Sequence, residues 1–300
     1  MRGFVAVTDY EWHEFLRTQR DLDEVNFWQP SGGGAFRAIQ PGEPLLFKLH
    51  APLDAIAGYG VFARHEVTHA WLAWEAFGPK NGAPDFASMT ERIATYLRGP
   101  PAPEHKVGCI MLAQPVFFPP GSWVRPPVDW KRNIVRGKGY DLGSGEGKRI
   151  WEDCLERTPP PMLEERGPRY GPPQLVQPRL GQGTFRLAVT QAYRGACAVT
   201  TEHSLPVLEA AHIRPYGEGG EHRISNGVLL RTDVHRLFDR GYVTITPEQR
   251  FEVSRRLENE WHNGRAYYAL HGRRVQVPES AAERPDPVQL TWHNENRFRH

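Results

Sequence analysis

Residues 208–246 read LEAAHIRPYGEGGEHRISNGVLLRTDVHRLFDRGYVTIT, and their pattern of apolar and polar residues predicts the fold of the second half of the chain. An apolar run that ends near His212 predicts a short strand. A glycine-rich turn then leads to a second apolar run, which begins after Asn226. Thr232 is suited to cap a helix that carries His235 and Asp239. The stretch therefore predicts the order strand, loop, strand, helix.

The polar residues of this unit have a specific chemical use. His235 and Asp239 are four positions apart, so their side chains lean toward the same side of the helix. An imidazole and a carboxylate placed in this way can hold a divalent cation. His212, on the facing hairpin, would then lie within reach to deprotonate a water molecule. A base, a cation and nearby arginines are the parts needed to hydrolyse a phosphodiester.

The same residues carry a resemblance to a known family. The segments AHIRP, SNG and DVHRLFD resemble the HNH nuclease motif, the ββα-metal unit, in the zinc-free branch found in bacterial restriction-type nucleases. The resemblance implies that His212 is the general base and His235 a metal ligand. It also implies that Asn226 braces the hairpin and orients the base or the ion. The cation implied is Mg²⁺ or Mn²⁺, with Ni²⁺ as a further candidate.

The sequence departs from the family pattern beside the base histidine. Many family members carry a metal-binding aspartate immediately before it, and this chain has Ala211 there. We therefore assign the carboxylate role to Asp239, with Glu209 as the second candidate.

A second departure concerns cysteine. Many relatives clamp the motif with two CxxC pairs around a structural zinc, whereas this chain has only Cys109, Cys154 and Cys197. We expect no structural zinc. Apolar packing is expected to replace the clamp, through Leu237, Phe238, Tyr242, Val243 and Ile245.

The charge pattern bears on how the chain would hold DNA. The formal net charge is only +2, so the chain is not a polybasic coat for nucleic acid. Every cation after Lys148 is an arginine or a histidine, and arginine binds phosphate with two parallel hydrogen bonds. Coding bias toward arginine explains this pattern equally well. The candidate phosphate contacts near the motif are Arg214, Arg231 and Arg236.

The length predicts two domains, and the mixture of strand and helix patterns along the chain predicts the α+β class. The chain has 300 residues, of which 39% are hydrophobic and 24% charged, as in an ordinary globular protein. We expect a first domain over 1–155, a proline- and glycine-rich linker over 156–182 and the nuclease domain over 183–300.

The first domain shows many short strands and a few helices, which predict a compact barrel. Its segments FWQPSGG, PGEPLLFKL and IAGYGVFARHE followed by AWEAFG resemble the PUA-like superfamily, in its EVE and YTH-like branch. The resemblance implies a barrel with helices and an aromatic pocket that holds a base, often a modified one. A flipped base can stack between aromatic faces. The candidate pocket residues are Trp28, Ser31, Tyr59, Phe62 and Trp74.

A competing motif lies in the same domain. His65, Glu66 and His69 spell HExxH, the zinc metalloprotease signature, which requires a helix. The motif follows a glycine-bearing strand and contains the β-branched Val67 and Thr68. The resemblance places it in a loop, which disfavours the protease.

We therefore expect a modification-dependent restriction-type endonuclease acting on double-stranded DNA, as a homodimer at least on DNA. The alternatives are an HNH nickase or nuclease without modification dependence, a zinc metalloprotease, and a non-cutting reader that lost its activity at Ala211. The widely spaced cysteines imply a reducing compartment, and the sequence contains no membrane-length apolar run. The N-terminal MRGFVAVTDYEWHEF becomes charged too early for a signal peptide, so we expect the cytoplasm.

Overall fold

The computed structural model describes residues 1–158 and 180–300. The chain divides into two compact units, Met1–Gly181 and Gln182–His300. Most of the predicted linker, residues 159–179, lies outside the described residues. Within the described ranges, no helix is long and apolar enough to cross a membrane.

The first unit mixes strands and helices, as the sequence predicts. Its elements in chain order are β1 (Arg2–Thr8), α1 (Tyr10–Arg17), β2 (Glu24–Gln29), β3 (Pro44–Leu49), β4 (Ile56–His69), α2 (Ala70–Phe77), α3 (Phe86–Leu97), β5 (Lys106–Phe117), β6 (Gly137–Asp141) and α4 (Gly145–Glu156).

These six strands form one sheet in the order β2-β5-β4-β3-β1-β6. β1 and β3 run parallel, and the other neighbouring pairs are antiparallel. β2 and β6 are the two edges, so the sheet formed by the described strands is open. The expected closed barrel is therefore not present in this part of the chain, although the α+β class is correct.

Both faces of this sheet are covered by apolar side chains. Val5 and Leu46 belong to one buried cluster, whereas their neighbours Ala6 and Leu45 belong to another. Successive side chains of a strand point to opposite faces, so the two clusters lie on opposite sides of the sheet. Aromatic side chains on opposite faces of the sheet therefore cannot line the same pocket.

The second unit is built around a hairpin and the helix that follows it. Its elements are α5 (Gln182–Ala192), β7 (Leu208–His212), β8 (Gly227–Arg231), α6 (Thr232–Asp239), β9 (Val243–Ile245), β10 (Phe251–Val253), α7 (Arg256–Trp261), α8 (Arg265–Tyr268) and α9 (Pro287–Asn296). β7 pairs antiparallel with β8, and β9 with β10.

One apolar core holds the second unit together. Strand, hairpin and helix residues contribute to it, and Phe185 of α5 packs against the hairpin. The apolar residues that were predicted to stabilise the unit belong to this core or contact it. Leu237 packs against the core, and the other four are buried in it: Phe238, Tyr242, Val243 and Ile245.

His293 is a buried titratable group of this core. Its side chain is 2% exposed, and its ring stacks on that of Phe238 at 3.7 Å between centroids. Nε2 lies 3.1 Å from the Phe238 carbonyl oxygen, and Nδ1 lies 2.8 Å from Oγ1 of Thr244. Burial, opposed by the bond to that carbonyl, lowers the pKa of His293 from 6.5 to about 4.

This shift predicts that acid destabilises the second unit. Between pH 6.5 and 4 the unfolded chain protonates His293 and the folded chain does not, so the free energy of unfolding falls as the pH falls through this window. The slope is at most about 1.4 kcal/mol per pH unit for such a group. Urea unfolding at several pH values, followed by pulsed hydrogen exchange of residues 228–245, measures how the free energy of unfolding changes with pH.

His293→Asn is expected to make this pH dependence shallower. His300→Asn, at an exposed position, is the matched control and leaves the slope unchanged. Equal slopes in wild type and His293→Asn would contradict the assignment.

Candidate active site

Helix α6 packs against strand β7, so that His235 of the helix lies 2.6 Å from Glu209, on the strand that ends at the predicted base His212. In β7 and β8, His212 pairs with Gly227 and Glu209 pairs with Leu230. Val234 and Phe238, four apart on α6, are buried in the core. The next residues along the helix, His235 and Asp239, are therefore turned away from the centre of the core.

Thr232 does not cap helix α6 as the sequence predicts. The helix begins at Thr232, and Arg231 occupies the N-cap position without a side-chain capping bond. Oγ1 of Thr232 instead donates to the carbonyl of Val207, at 3.1 Å. This bond ties the start of the helix to the chain entering β7.

His212 lies in an aromatic setting at the end of β7. Its ring stacks on Phe185, with centroids 3.9 Å apart and planes 12° from parallel. Burial, followed by the charges of His222 and His235, lowers the pKa of His212 to about 4. The imidazole is therefore neutral at physiological pH, which is the state that a general base requires.

His222 is a further residue of this candidate site, and the sequence pattern does not indicate it. Its Nδ1 lies 2.9 Å from Nε2 of His212. The His222 ring stacks on Tyr216, with centroids 4.6 Å apart. His222 belongs to an irregular, glycine-rich loop, where no periodicity indicates which way a side chain points.

Asn226 closes that loop. Its side-chain oxygen accepts from the backbone N–H of Arg214 at 2.9 Å, and its amide nitrogen donates to the carbonyls of Arg214 and Glu221 at 2.9 and 3.0 Å. The residue is 3% exposed. Asn226 thus contacts the loop backbone on both sides of the turn, and its catalytic role stays a prediction.

His235 lies between two carboxylates. Nδ1 is 2.6 Å from Oε2 of Glu209, and Nε2 is 3.4 Å from Oδ2 of Asp239. An ionised carboxylate only accepts hydrogen bonds, so the close contact to Glu209 places a proton on Nδ1. In the neutral ring Nε2 is then unprotonated and faces Asp239.

This donor set fits a divalent cation. A histidine that binds a metal through one nitrogen commonly donates from the other to a carboxylate, which is the relation of His235 to Glu209. Nε2 of His235 and the carboxylate of Asp239 would be the two ligands. In the described ranges, no three or more His, Cys, Asp or Glu side chains are arranged as a complete set of metal ligands, so the protein would supply only these two. Mg²⁺ is commonly held by so few protein ligands, with water and phosphate completing its shell.

The three predicted phosphate-binding arginines differ in their surroundings. Arg231 forms a bidentate pair with Asp233 at 2.7 and 2.8 Å, and Arg214 donates to the Glu218 carbonyl at 2.6 Å. The Arg214 guanidinium also lies over the ring of Trp292. Arg236 is exposed on α6.

In the first unit, the structure does not bring the five predicted base-binding residues together. Tyr59 belongs to one of the two apolar clusters and Phe62 to the other, so they lie on opposite faces of the sheet. The prediction that these two side chains line one pocket is therefore wrong. Ser31 is exposed and Trp28 partly buried, and the Trp28 indole donates to the Asn81 carbonyl at 2.9 Å. Trp74 packs near Phe86, with ring centroids 6.3 Å apart.

The HExxH segment does not form a protease site. His65, Glu66 and His69 all lie within strand β4, where the family resemblance had placed a loop. Residues four apart in a strand are separated by roughly 13 Å, and adjacent residues face opposite sides. The two histidines therefore cannot hold one zinc ion with Glu66 beside it.

Comparison with known proteins agrees with this geometry. The family described as HNH endonuclease matches residues 197–246. This range contains the hairpin, helix α6 and the three predicted residues His212, Asn226 and His235. The chain therefore carries an HNH endonuclease domain and is a nuclease.

Among solved structures, the chain is similar to a protein described as "Modification dependent TagI restriction endonuclease". The two are 14% identical with a TM-score of 0.29, over 97% of this chain and 80% of the other. A TM-score this low does not establish a shared fold. No curated protein matches the chain.

Asn226→Ala is predicted to destabilise the second unit by about 3 kcal/mol, because it removes three hydrogen bonds of a buried side chain, worth about 1 kcal/mol each. Urea unfolding at neutral pH measures the change. Asn296→Ala, at an exposed position of α9, is the matched control with a far smaller loss. An equal loss in the two variants would show that Asn226 does not brace the loop.

Proposed function

We propose that the chain is a metal-dependent endonuclease that cuts double-stranded DNA and reads a modified base, such as a modified cytosine, through its first unit. The observation that carries the nuclease site is the contact between helix α6 and strand β7. His235 of the helix lies 2.6 Å from Glu209, on the strand that ends at His212.

His212 is the general base in this proposal. Its Nδ1 takes a proton from a water molecule whose oxygen forms a bond to the scissile phosphorus. The bond between phosphorus and the 3′ oxygen breaks, and the leaving oxygen takes a proton from solvent. The neutral imidazole on the Phe185 ring is ready to accept that proton without first losing one.

His235 and Asp239 would hold the cation, and Glu209 would orient His235 through Nδ1. A bound Mg²⁺ or Mn²⁺ (or Ni²⁺) supplies positive charge that stabilises the negative charge developing on the phosphate oxygens. Among the arginines, Arg236 is the first choice for a phosphate contact because it is exposed on α6. Arg214 and Arg231 would have to give up their present partners.

Base reading by the first unit follows from the PUA-like resemblance. Trp28, Ser31 and Trp74 remain its candidate residues, and stacking on an aromatic ring contributes about 1–3 kcal/mol per base. Each chain supplies one candidate nuclease site, so cutting both strands would use a homodimer on DNA. The proposed site of action is the cytoplasm.

His212→Ala is expected to slow cleavage of plasmid DNA by at least about 10²-fold, the smaller end of what general base catalysis contributes. DNA binding, measured by gel shift, remains because the arginines are unchanged. Wild-type cleavage requires added Mg²⁺ or Mn²⁺ and stops with EDTA.

His203→Ala, at an exposed position outside the site, is the control and cuts at the wild-type rate. Cleavage by His212→Ala at that same rate would remove His212 from the mechanism. Wild-type protein that binds DNA and fails to cut with Mg²⁺, Mn²⁺ or Ni²⁺ would identify a non-cutting reader.

Modification dependence is tested with two DNA molecules of one sequence, of which one carries modified cytosine. We expect cleavage of the modified molecule and little of the unmodified one, because only the former offers the base that the first unit binds. Trp28→Ala is expected to weaken this preference while nuclease activity persists. Equal cleavage of both molecules by the wild type would indicate an HNH nuclease without modification dependence.

A further inference from the structure

The loop at residues 213–226 places a second histidine, His222, beside the proposed base His212. After β7 ends at His212, the loop carries His222 back until its Nδ1 lies 2.9 Å from Nε2 of His212. The two ring planes meet at 62°, with centroids 5.0 Å apart. This is an edge-on hydrogen bond between two imidazoles and not a stacked contact.

Both rings are fixed by neighbours. Phe185 lies flat against His212, and Tyr216 lies flat against His222. Asn226 holds the carbonyl of Glu221, the residue directly before His222. The contact between the two histidines is therefore part of the folded loop.

One proton lies in such a bond, and which ring carries it decides what His212 can do. If Nε2 of His212 carries the proton, the neutral ring has its lone pair on Nδ1 and can accept a proton there. If Nδ1 of His222 carries it, neutral His212 has its own proton on Nδ1, and neither of its nitrogens can deprotonate water.

We propose that His222 is a positioning residue that accepts the Nε2 proton of His212 and thereby keeps Nδ1 of His212 in the form that deprotonates water. The inference rests on the proposed nuclease function. His222 itself touches neither the water nor the phosphate in this scheme.

The reaction's product state requires the same direction of donation. When His212 has taken a proton from water, both of its nitrogens carry hydrogen, and Nε2 must donate. A neutral His222 with its lone pair on Nδ1 accepts that hydrogen bond before and after the proton transfer. The two rings therefore need no rearrangement during the step.

Two substitutions of His222 distinguish its role as a hydrogen-bond acceptor from the packing of its ring. His222→Asn places a side-chain oxygen where Nδ1 stood, because both atoms are bonded to Cγ, and it removes the ring from Tyr216. His222→Phe keeps a flat ring against Tyr216 and removes the acceptor. His203→Phe, at an exposed position, is the control.

We expect His222→Phe to lower kcat on cleaved DNA on the order of 10²-fold, with little change in KM, because the base is misprotonated and DNA contacts are intact. His222→Asn is expected to retain most of the activity. A purely structural role predicts the reverse order, with the ring-preserving Phe variant the more active. That order would overturn the proposal.

The tautomer is also measurable without cleavage. Nitrogen-15 NMR of the full chain labelled at histidine is expected to show His212 protonated at Nε2 in the wild type and increasingly at Nδ1 in His222→Phe. Protonation at Nδ1 in the wild type would overturn the inference.

The two hypotheses fail in different ways. If His212→Ala loses cleavage and His222→Phe does not, the role of His222 is wrong and the nuclease proposal stands. If the wild type cuts no DNA, the nuclease proposal fails, and the NMR measurement still decides the direction of the hydrogen bond.

Discussion

The site depends on how the chain closes between β7 and β8. The backbone N–H of Ile213 donates to the carbonyl of Asn226, which extends the hairpin by one bond beyond His212. The Asn226 side chain then binds both the N–H and the C=O of Arg214. Gly220 must pass close to this point, since a Cβ there would lie 1.9 Å from the Arg214 carbonyl oxygen. These contacts hold the loop in its closed form, and the further bond from Asn226 to the Glu221 carbonyl fixes the residue directly before His222.

The two predicted histidines of the candidate site lie in different surroundings: His212 beside aromatic rings, and His235 between two carboxylates. His212 and His222 touch each other beside aromatic rings, and burial together with the charge of His222 lowers the pKa of His212. His235 lies between the carboxylates of Glu209 and Asp239, which are the groups proposed to orient it and to share a cation with it. The proposed proton acceptor and the proposed cation-binding group thus lie in the same unit. The same separation of roles is what hydrolysis of a phosphodiester requires.

The sequence predicted the residues whose positions follow from regular structure. His235 and Asp239 share a helical face by spacing alone, and the strand ending at His212 follows from its apolar pattern. His222 could not be predicted, because its loop has no repeating geometry. Tyr59 and Phe62 were grouped wrongly because both faces of that sheet are buried, and an apolar strand does not reveal which core each ring joins. Register shifts near both residues, on the strand side facing β5, add to the ambiguity.

Phe185 belongs both to the apolar core and to the candidate site. Its ring is buried in the core of the second unit and is also the surface on which His212 stacks. Gly227 makes this position available, because a Cβ there would lie 2.9 Å from the Phe185 ring and 2.5 Å from Val189. Helix α5 can therefore approach the hairpin closely at the residue paired with His212. The apolar core that stabilises the hairpin also removes water from one side of the proposed base, so the low pKa of His212 is a consequence of the fold.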